Sequence, residues 1–282
     1  MWLKLGVVFD SQAQLPTVQF LDNNRLRVYY SARSKNTSYI NYFETSASEP
    51  SVITYKNKNP ILSKGKRGCF DDSGVMPSCV INILGEDRLY YTGWNTCKGD
   101  VPYGHGIGYI VVNDIQKLKR IFEGPVVDRN ISCPYLVNSP FIYKNKEKIE
   151  MIFCNGNGWI DNFPTYHLSK ASSIDGVAWS NVKEFIYQEK KALSRPSVLF
   201  ESNNIKTWYS MKGVEENYRI FCCTETNKKK QIIKEEFECL KNELWDSEMM
   251  CYPAVFEVEK QRYMYYNGNN YGETGIGLAK WV

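Results

Sequence analysis

The side chains of this 282-residue chain that are best suited to acid and base chemistry lie a few residues ahead of prolines. Asp71 and Asp72 precede Pro77 in DDSGVMPSCVI, and Glu248 precedes Pro253 in WDSEMMCYP. Because Glu248 is flanked by apolar residues, we expect a poorly solvated carboxyl whose raised pKa would suit a general acid. For the two aspartates, an Asx turn that leads into a strand is an equal alternative to a functional carboxylate.

Each of these prolines belongs to a tract that occurs five times along the chain. A copy consists of a proline, a short apolar run, a polar turn and an aromatic-rich run, and a third strand-like run follows it. The prolines are Pro16, Pro77, Pro140, Pro196 and Pro253, at intervals of 61, 63, 56 and 57 residues. A fourth apolar run is clear after the first three copies, whereas the run QIIKEEFECL after the fourth is less clear and could be helical.

A unit of about four antiparallel strands repeated at this spacing predicts an all-β fold, a five-bladed β-propeller. The last copy has only three strands, so we expect the N-terminal WLKLGVVF to complete the last blade and close the ring. Residues 1–282 then form a single domain whose blades start near the five prolines. Proline is tolerated at the first residue of a strand, so the repeated prolines are architecture rather than chemistry.

In such a blade, the start of the first strand, the end of the second and the start of the third open on one side. Loops on a rigid scaffold commonly carry function, so this rim is the expected site. The carboxylates that approach it are Asp10, Asp72 and Glu248. The candidate substrate contacts are Arg33, Asp71, Trp94, Asn95, His105, Asn155, Trp159, His167, Arg195, Arg219, Tyr252, Asn267, Asn269 and Tyr271.

Several of these rim residues have a structural alternative that the sequence leaves open. Arg195 could pair with a carboxylate of the chain or clamp an anionic group of a ligand. Trp94 and Trp159 could stack on sugar rings or pack between blades. The glycines of GHGIG and GETGIG have no helix after them, which favours strand-entry glycines over a phosphate-binding loop.

Composition excludes several functional classes. Lysine and arginine exceed the acidic residues by only four, with no concentrated basic face, which argues against nucleic-acid binding. No window approaches the roughly 20 apolar residues that span a bilayer, and the N-terminal apolar stretch is too short for a secretory signal, so we expect a cytoplasmic protein. The nine cysteines contain no C-x-x-C pair. We therefore predict neither a disulfide framework nor a metal, and no cofactor.

The strand-initiating prolines, the paired aromatics and the stretch SIDGVAW resemble the five-bladed propeller glycosidases. These comprise the arabinanase and xylosidase group, the invertase and levansucrase group and the mannoside phosphorylases. The tracts around MPSCVI and YPAVF also resemble an uncharacterised subgroup of predicted glycosidases linked to surface-polysaccharide gene sets. The resemblance implies inward-pointing carboxylates from different blades, one acting as base or nucleophile and one as acid.

This chain departs from the arabinanase pattern because the residue before each proline is Leu, Met, Ser, Arg or Tyr, and not Asp. The resemblance then leaves Asp72 as the water-activating base and Glu248 as the acid, with Asp10 as a third acidic approach. We expect an enzyme that cleaves or transfers a glycosidic bond in a saccharide, which could be anionic or linked to a nucleotide. The alternative is a sugar-binding propeller without catalysis.

Overall fold

A computed structural model describes residues 1–22, 24–34, 36–118, 120–145, 148–201, 204–226, 230–233 and 245–282. The predicted fourth run of the fourth tract, QIIKEEFECL, begins in a described strand, but residues 234–240 lie outside the described residues. The chain divides into two compact units. Unit 1 comprises Met1–Tyr30, Tyr42–Lys58 and Arg195–Val282, and unit 2 comprises Ser31–Asn41 and Asn59–Ser194.

The prediction of an all-β chain is confirmed, because the one helix among the described residues is the four-residue turn α1, Asn269–Gly272. The strands are β1 Trp2–Phe9, β2 Gln14–Phe20, β3 Arg25–Ser34, β4 Thr37–Ser46, β5 Ile53–Lys56, β6 Gly74–Ile83, β7 Glu86–Thr96, β8 Tyr103–Val111, β9 Val137–Asn145, β10 Lys148–Ile160, β11 Phe163–Ser173, β12 Ser180–Ile186, β13 Ala192–Glu201, β14 Asn204–Lys212, β15 Arg219–Glu225, β16 Lys230–Ile233, β17 Cys251–Val258, β18 Gln261–Asn267 and β19 Ile276–Trp281.

Consecutive strands pair antiparallel, as expected when short polar turns join apolar runs. In unit 2, β6, β7 and β8 form one such set and β9, β10, β11 and β12 form another. In unit 1, β17, β18 and β19 pair in order, and β1 pairs antiparallel with β19, with Trp2 opposite Trp281. The N-terminal strand is therefore the fourth strand of the last sheet.

Three of the repeated prolines lie at a β-bulge in the first strand of a set of paired strands. Register shifts occur beside Pro77 in β6, between Asn138 and Phe141 in β9, and between Cys251 and Ala254 in β17. A bulge adds one unpaired residue and bends the strand, and proline fits there because it has no N–H to leave unpaired.

Four residues that directly precede these prolines have a left-handed backbone, which is unusual for a residue other than glycine. They are Leu15, Ser139, Arg195 and Tyr252, with φ of 60°, 50°, 57° and 58°. A side chain at the end of a second strand accepts the N–H of three of them. The bonds are Leu15 N to Asn267 Oδ1 at 2.8 Å, Ser139 N to Thr92 Oγ1 at 2.9 Å and Tyr252 N to Ser210 Oγ at 2.7 Å.

Each unit has its own apolar core. In unit 2 it includes Tyr90, Met151 and Phe153, and in unit 1 it includes Trp208, Met264 and Tyr266, all with at most 1% of their surface exposed. Among the described residues, no helix is long and apolar enough to cross a membrane.

Candidate functional site

The first of the two adjacent aspartates, Asp71, is a buried structural carboxylate. Its side chain is 1% exposed. Its Oδ2 accepts hydrogen bonds from Tyr91 Oη at 3.1 Å and from Arg120 Nε at 3.0 Å. The ring of Phe70 stacks on Tyr91 with centroids 5.9 Å apart. Burial together with the nearby charge of Asp71 raises the pKa of Tyr91, which keeps the phenol a hydrogen-bond donor.

The last tract repeats this arrangement with Asp246, which is fully buried. Its Oδ2 accepts from Tyr266 Oη at 2.9 Å and lies 2.8 Å from Lys4 Nζ of β1. The ring of Trp245 packs on Tyr266 with centroids 5.1 Å apart. The carboxylate thus ties the N-terminal strand to the last sheet through a buried ion pair.

An aromatic residue directly precedes the aspartate in both arrangements, Phe70–Asp71 and Trp245–Asp246, and our sequence reasoning missed this feature. The aromatic–aspartate pair alone is not sufficient, because Phe9–Asp10 has it and Asp10 is exposed. In both buried arrangements the ring lies over a glycine of the third strand, since a Cβ built on Gly108 would be 2.8 Å from Phe70 Cζ and one on Gly277 would be 2.1 Å from Trp245 Cη2. The GIG glycines therefore make room for these rings.

The other two aspartates that approach the rim are accessible to solvent. Asp72 is half-buried, and its Oδ2 accepts the backbone N–H of Gly68 at 2.8 Å while its Oδ1 accepts from Ser73 Oγ at 3.2 Å. These bonds hold the turn ahead of β6, but neither is the bond to the backbone two residues further on that defines an Asx turn leading into the strand. Asp10 follows Phe9 at the end of β1 and is exposed, while Phe9 stacks on Phe43 with centroids 5.1 Å apart.

The expectation of a poorly solvated Glu248 is wrong, because its side chain is exposed. Only its backbone is held, with Glu248 N donating to Asn269 Oδ1 at 2.9 Å and its carbonyl accepting from Arg219 Nη1 at 2.6 Å. Along the chain, the carboxylate that is buried at this approach is Asp246, two residues earlier. The segment that carries both residues is a turn and not a strand, so apolar neighbours in the sequence do not fix which of its side chains is buried.

Three predicted substrate contacts of unit 1 are occupied by backbone groups. Arg195, 2% exposed, donates from Nη2 to the carbonyl of Pro16 at 2.8 Å. Asn267, fully buried, donates from Nδ2 to the carbonyls of Ala13 at 2.7 Å and Gly275 at 2.9 Å. Asn269 accepts the N–H of Glu248 and of Met249, each at 2.9 Å, which positions the segment that carries Glu248.

The remaining contacts of unit 1 form an aromatic and cationic group at the ends of β14 and β18. Tyr218 lies 5.8 Å from Tyr252 and 6.0 Å from Tyr271 between ring centroids. The ammonium of Lys212 lies 5.1 Å and 5.3 Å from the centroids of Tyr218 and Tyr271, and donates to Tyr271 Oη at 3.0 Å.

In unit 2, the structure brings the aromatic candidates together at the starts of β8 and β11. Trp159 meets the ring of Tyr103 edge-on at 5.4 Å, and Tyr103 Oη lies 3.3 Å from Tyr166 Oη. Trp94 donates from Nε1 to Ser38 Oγ at 2.8 Å. Asn95 is half-buried at the end of β7. Partly exposed rings beside hydroxyl groups are the usual lining of a sugar-binding surface.

His105 is held by two contacts in this group. Its ring stacks on Tyr103 at 4.8 Å with an interplanar angle of 18°, and Asn138 Nδ2 lies 3.2 Å from its Nδ1. Burial, followed by the nearby charge of Arg33, lowers the pKa of His105 to about 4. The ring is therefore neutral at pH 7.

The second histidine, His167, lies directly opposite Asn155 in the pairing of β10 with β11. Asn155 is 3% exposed and donates from Nδ2 to the Ser132 carbonyl at 3.1 Å and to Ser169 Oγ at 3.3 Å. Within the described residues, Asn155 Oδ1 and His167 Nδ1 are buried and have no hydrogen-bond partner. Burial lowers the pKa of His167, and the charge of Glu184 opposes this shift.

No group of three or more metal-ligating side chains occurs among the described residues.

Each sequence-predicted site residue belongs to one of the two units. Unit 2 holds Arg33, Asp71, Asp72, Trp94, Asn95, His105, Asn155, Trp159 and His167. Unit 1 holds Asp10, Arg195, Arg219, Glu248, Tyr252, Asn267, Asn269 and Tyr271.

Two curated proteins are similar to this chain in sequence over nearly its whole length. No family model matches it. Uncharacterized protein Rv1502 of Mycobacterium tuberculosis strain H37Rv is 30% identical over 297 aligned residues, which cover 99% of this chain and 98% of the relative. Uncharacterized protein MT1551 of strain CDC 1551 matches with the same identity and coverage. The chain belongs to the Rv1502 family.

Solved structures identify the fold of this Rv1502-family chain. An α-L-arabinofuranosidase from Lactobacillus brevis matches with a TM-score of 0.76 at 10% identity, covering 99% of this chain and 93% of the other. A β-1,2-mannobiose phosphorylase from Listeria innocua matches with a TM-score of 0.69 at 12% identity, covering 99% and 92%. A thermostable family-43 glycoside hydrolase matches with a TM-score of 0.70 at 13% identity, covering 95% and 88%. The Rv1502-family chain has the β-propeller fold of these glycoside hydrolases.

Proposed function

We propose that the chain is a carbohydrate-active enzyme that cleaves or transfers a glycosidic bond. The observation that carries the proposal is the difference in burial among its carboxylates, on a fold that glycoside hydrolases share. Asp71 and Asp246 are buried in ion pairs, whereas Asp10, Asp72 and Glu248 keep carboxyl groups accessible to a substrate. We propose further that the five tracts are five blades and that β1 closes the ring, which the pairing of β1 with β19 supports.

In this proposal Asp72 acts as the base that activates water, and Glu248 acts as the acid that protonates the leaving oxygen. Asp10 is a further carboxylate that could replace either. Turnover of this type requires one carboxyl group ionised and the other protonated, which gives a bell-shaped pH profile. The turn bonds to Asp72 from Gly68 and Ser73 fix its carboxylate, as a base that must hold a water molecule requires.

In this proposal the aromatic group of unit 2 supplies the surface for a saccharide. Trp159 and Tyr103 are partly exposed and offer ring faces, while Tyr166 is buried with its hydroxyl 3.3 Å from Tyr103 Oη. Partly exposed rings of this kind suit the apolar face of a sugar. A saccharide or sugar nucleotide used in polysaccharide biosynthesis in the cytoplasm is the substrate class that we propose.

Hydrolysis of a panel of oligosaccharides, measured as reducing-end release, tests the proposal. Asp72→Asn and Glu248→Gln should each reduce kcat by at least about 100-fold, the effect typical of an acid or base catalyst, and leave the melting temperature within a few degrees. Asp114→Asn and Glu49→Gln are the controls, because both residues are exposed. They follow the C-terminal ends of β8 and β4, whereas the candidate site residues lie near the starts of such third strands. Full activity of Asp72→Asn or Glu248→Gln removes that residue from the mechanism.

A sugar-binding protein without catalysis is the second candidate, and one observation favours it. The exposed Glu248 lacks the apolar surroundings that would keep a general acid protonated near neutral pH. This candidate predicts saturable binding of a saccharide, with aromatic variants such as Trp159→Ala losing affinity. It also predicts no turnover of that saccharide at any pH.

A further inference from the structure

Arg33 is exposed at the end of β3 and forms no ion pair with any residue that the structure describes. Two other arginines of unit 2 are engaged. Arg120 pairs with Asp71, and Arg88 pairs with Glu86. An unpaired guanidinium at a rim provides charge and two parallel donors for a carboxylate.

The strand β3, which ends at Arg33 and Ser34, lies beside β4, and Ser38 of β4 accepts from Trp94 Nε1 at 2.8 Å. Trp94 in turn lies opposite His105 in the pairing of β7 with β8. The charge of Arg33 contributes to the lowered pKa of His105.

The His105 ring has only one nitrogen left for a ligand, because Asn138 presents its amide nitrogen 3.2 Å from Nδ1. An amide nitrogen donates and cannot accept, so Nδ1 accepts and the proton of the neutral ring lies on Nε2. Within the described part of the chain, Nε2 has no hydrogen-bond partner. The stacking on Tyr103 at 4.8 Å holds the direction of this donor.

We infer that Arg33 and the Nε2–H of His105 form a binding position for the carboxylate of an acidic sugar. The two groups together carry a single positive charge, which matches a singly charged carboxylate and leaves a phosphate dianion half-neutralised. His105 then donates to one carboxylate oxygen and Arg33 to the other. The inference rests on the proposed function, since it names the class of saccharide.

Long-range proton–nitrogen NMR of the histidine rings tests this position directly, because the chain has only two histidines. His105→Gln assigns the two sets of signals. In the free protein, His105 should show the Nε2–H form. Addition of D-glucuronate should shift the His105 nitrogens saturably, whereas D-glucose and inorganic phosphate at the same concentrations should leave them unchanged.

Arg33→Gln should weaken glucuronate binding by about tenfold or more, the usual consequence of losing a charge-assisted pair. Arg25→Gln is the matched control, because Arg25 is an exposed arginine at the other end of the same strand and should bind as the wild type does. An Nδ1–H form of His105, a response to phosphate in place of glucuronate, or equal binding by Arg33→Gln would each overturn the inference.

These measurements are made at equilibrium and need no turnover. A protein that binds glucuronate at His105 but cleaves no saccharide refutes the proposed enzyme and keeps this binding position. Cleavage of neutral oligosaccharides with no glucuronate response at His105 refutes this binding position and supports the proposed enzyme.

Discussion

The buried ion pair between Lys4 and Asp246 should be a principal stabilising contact of the N-terminal strand. The side chains are 6% and 0% exposed and lie 2.8 Å apart. Asp246→Asn keeps the shape and an acceptor for Tyr266 but leaves a buried ammonium without its counter-charge. Removal of one partner of a buried pair costs about 3–5 kcal/mol. At about 2 °C per kcal/mol for a chain of this size, the melting temperature should fall by roughly 6–10 °C.

Thermal unfolding at pH 7, followed by circular dichroism, measures this effect in Asp246→Asn, Lys4→Met and the double variant. The double variant should lose about 2 kcal/mol less than the sum of the single losses, because it leaves no unpaired charge. Asp71→Asn is an internal comparison and should lose less than Asp246→Asn, since its partner Arg120 is 25% exposed. A loss below about 1 kcal/mol in Asp246→Asn, or strict additivity, would refute the reasoning.

Three further predictions address the packing and the histidine. Gly277→Ala should destabilise by about 1–3 kcal/mol, because a Cβ there would lie 2.1 Å from Trp245 Cη2, and the smaller ring of Trp245→Phe should recover part of the loss in thermal unfolding. Asn267→Asp should lower the melting temperature at pH 7, because a carboxylate cannot donate to the carbonyls that now accept from the amide; unchanged stability would contradict these bonds. The pKa of His105 is lowered to about 4, below its unfolded value, so its contribution to stability is present above pH 6.5 and is lost as the pH falls toward 4. This loss amounts to about 3 kcal/mol at most. Urea unfolding at a series of pH values should show it in the wild type and not in His105→Gln. An equal dependence of the unfolding free energy on pH in both proteins would contradict the prediction.

The five proline-headed tracts were sufficient to predict the all-β fold, because proline, apolar run and aromatic run have a strong local meaning in a strand. The left-handed residues before the prolines were not predictable. Leu15, Ser139, Arg195 and Tyr252 have no shared chemistry, and what stabilises three of them is a side chain far away in the sequence. Tertiary hydrogen bonds of this kind leave no local signal.

The carboxylates illustrate the same limit at the candidate site. Asp71 and Asp72 are adjacent in a turn, yet Asp71 is buried against Tyr91 and Arg120, whereas Asp72 is accessible. For Glu248, the apolar neighbours in the sequence turned inward and left the carboxylate in solvent. Sequence reasoning could not assign burial within these segments, because tertiary contacts decide which side chain turns inward.

The most direct test of the proposed enzyme is the pH dependence of kcat/KM on an oligosaccharide that the protein cleaves, measured for the wild type and for Asp72→Asn. The proposal predicts a bell-shaped wild-type profile whose acidic limb disappears in Asp72→Asn together with nearly all activity. An oligosaccharide panel that binds saturably and is not cleaved at any pH, or an Asp72→Asn protein with the wild-type profile, would contradict the proposal.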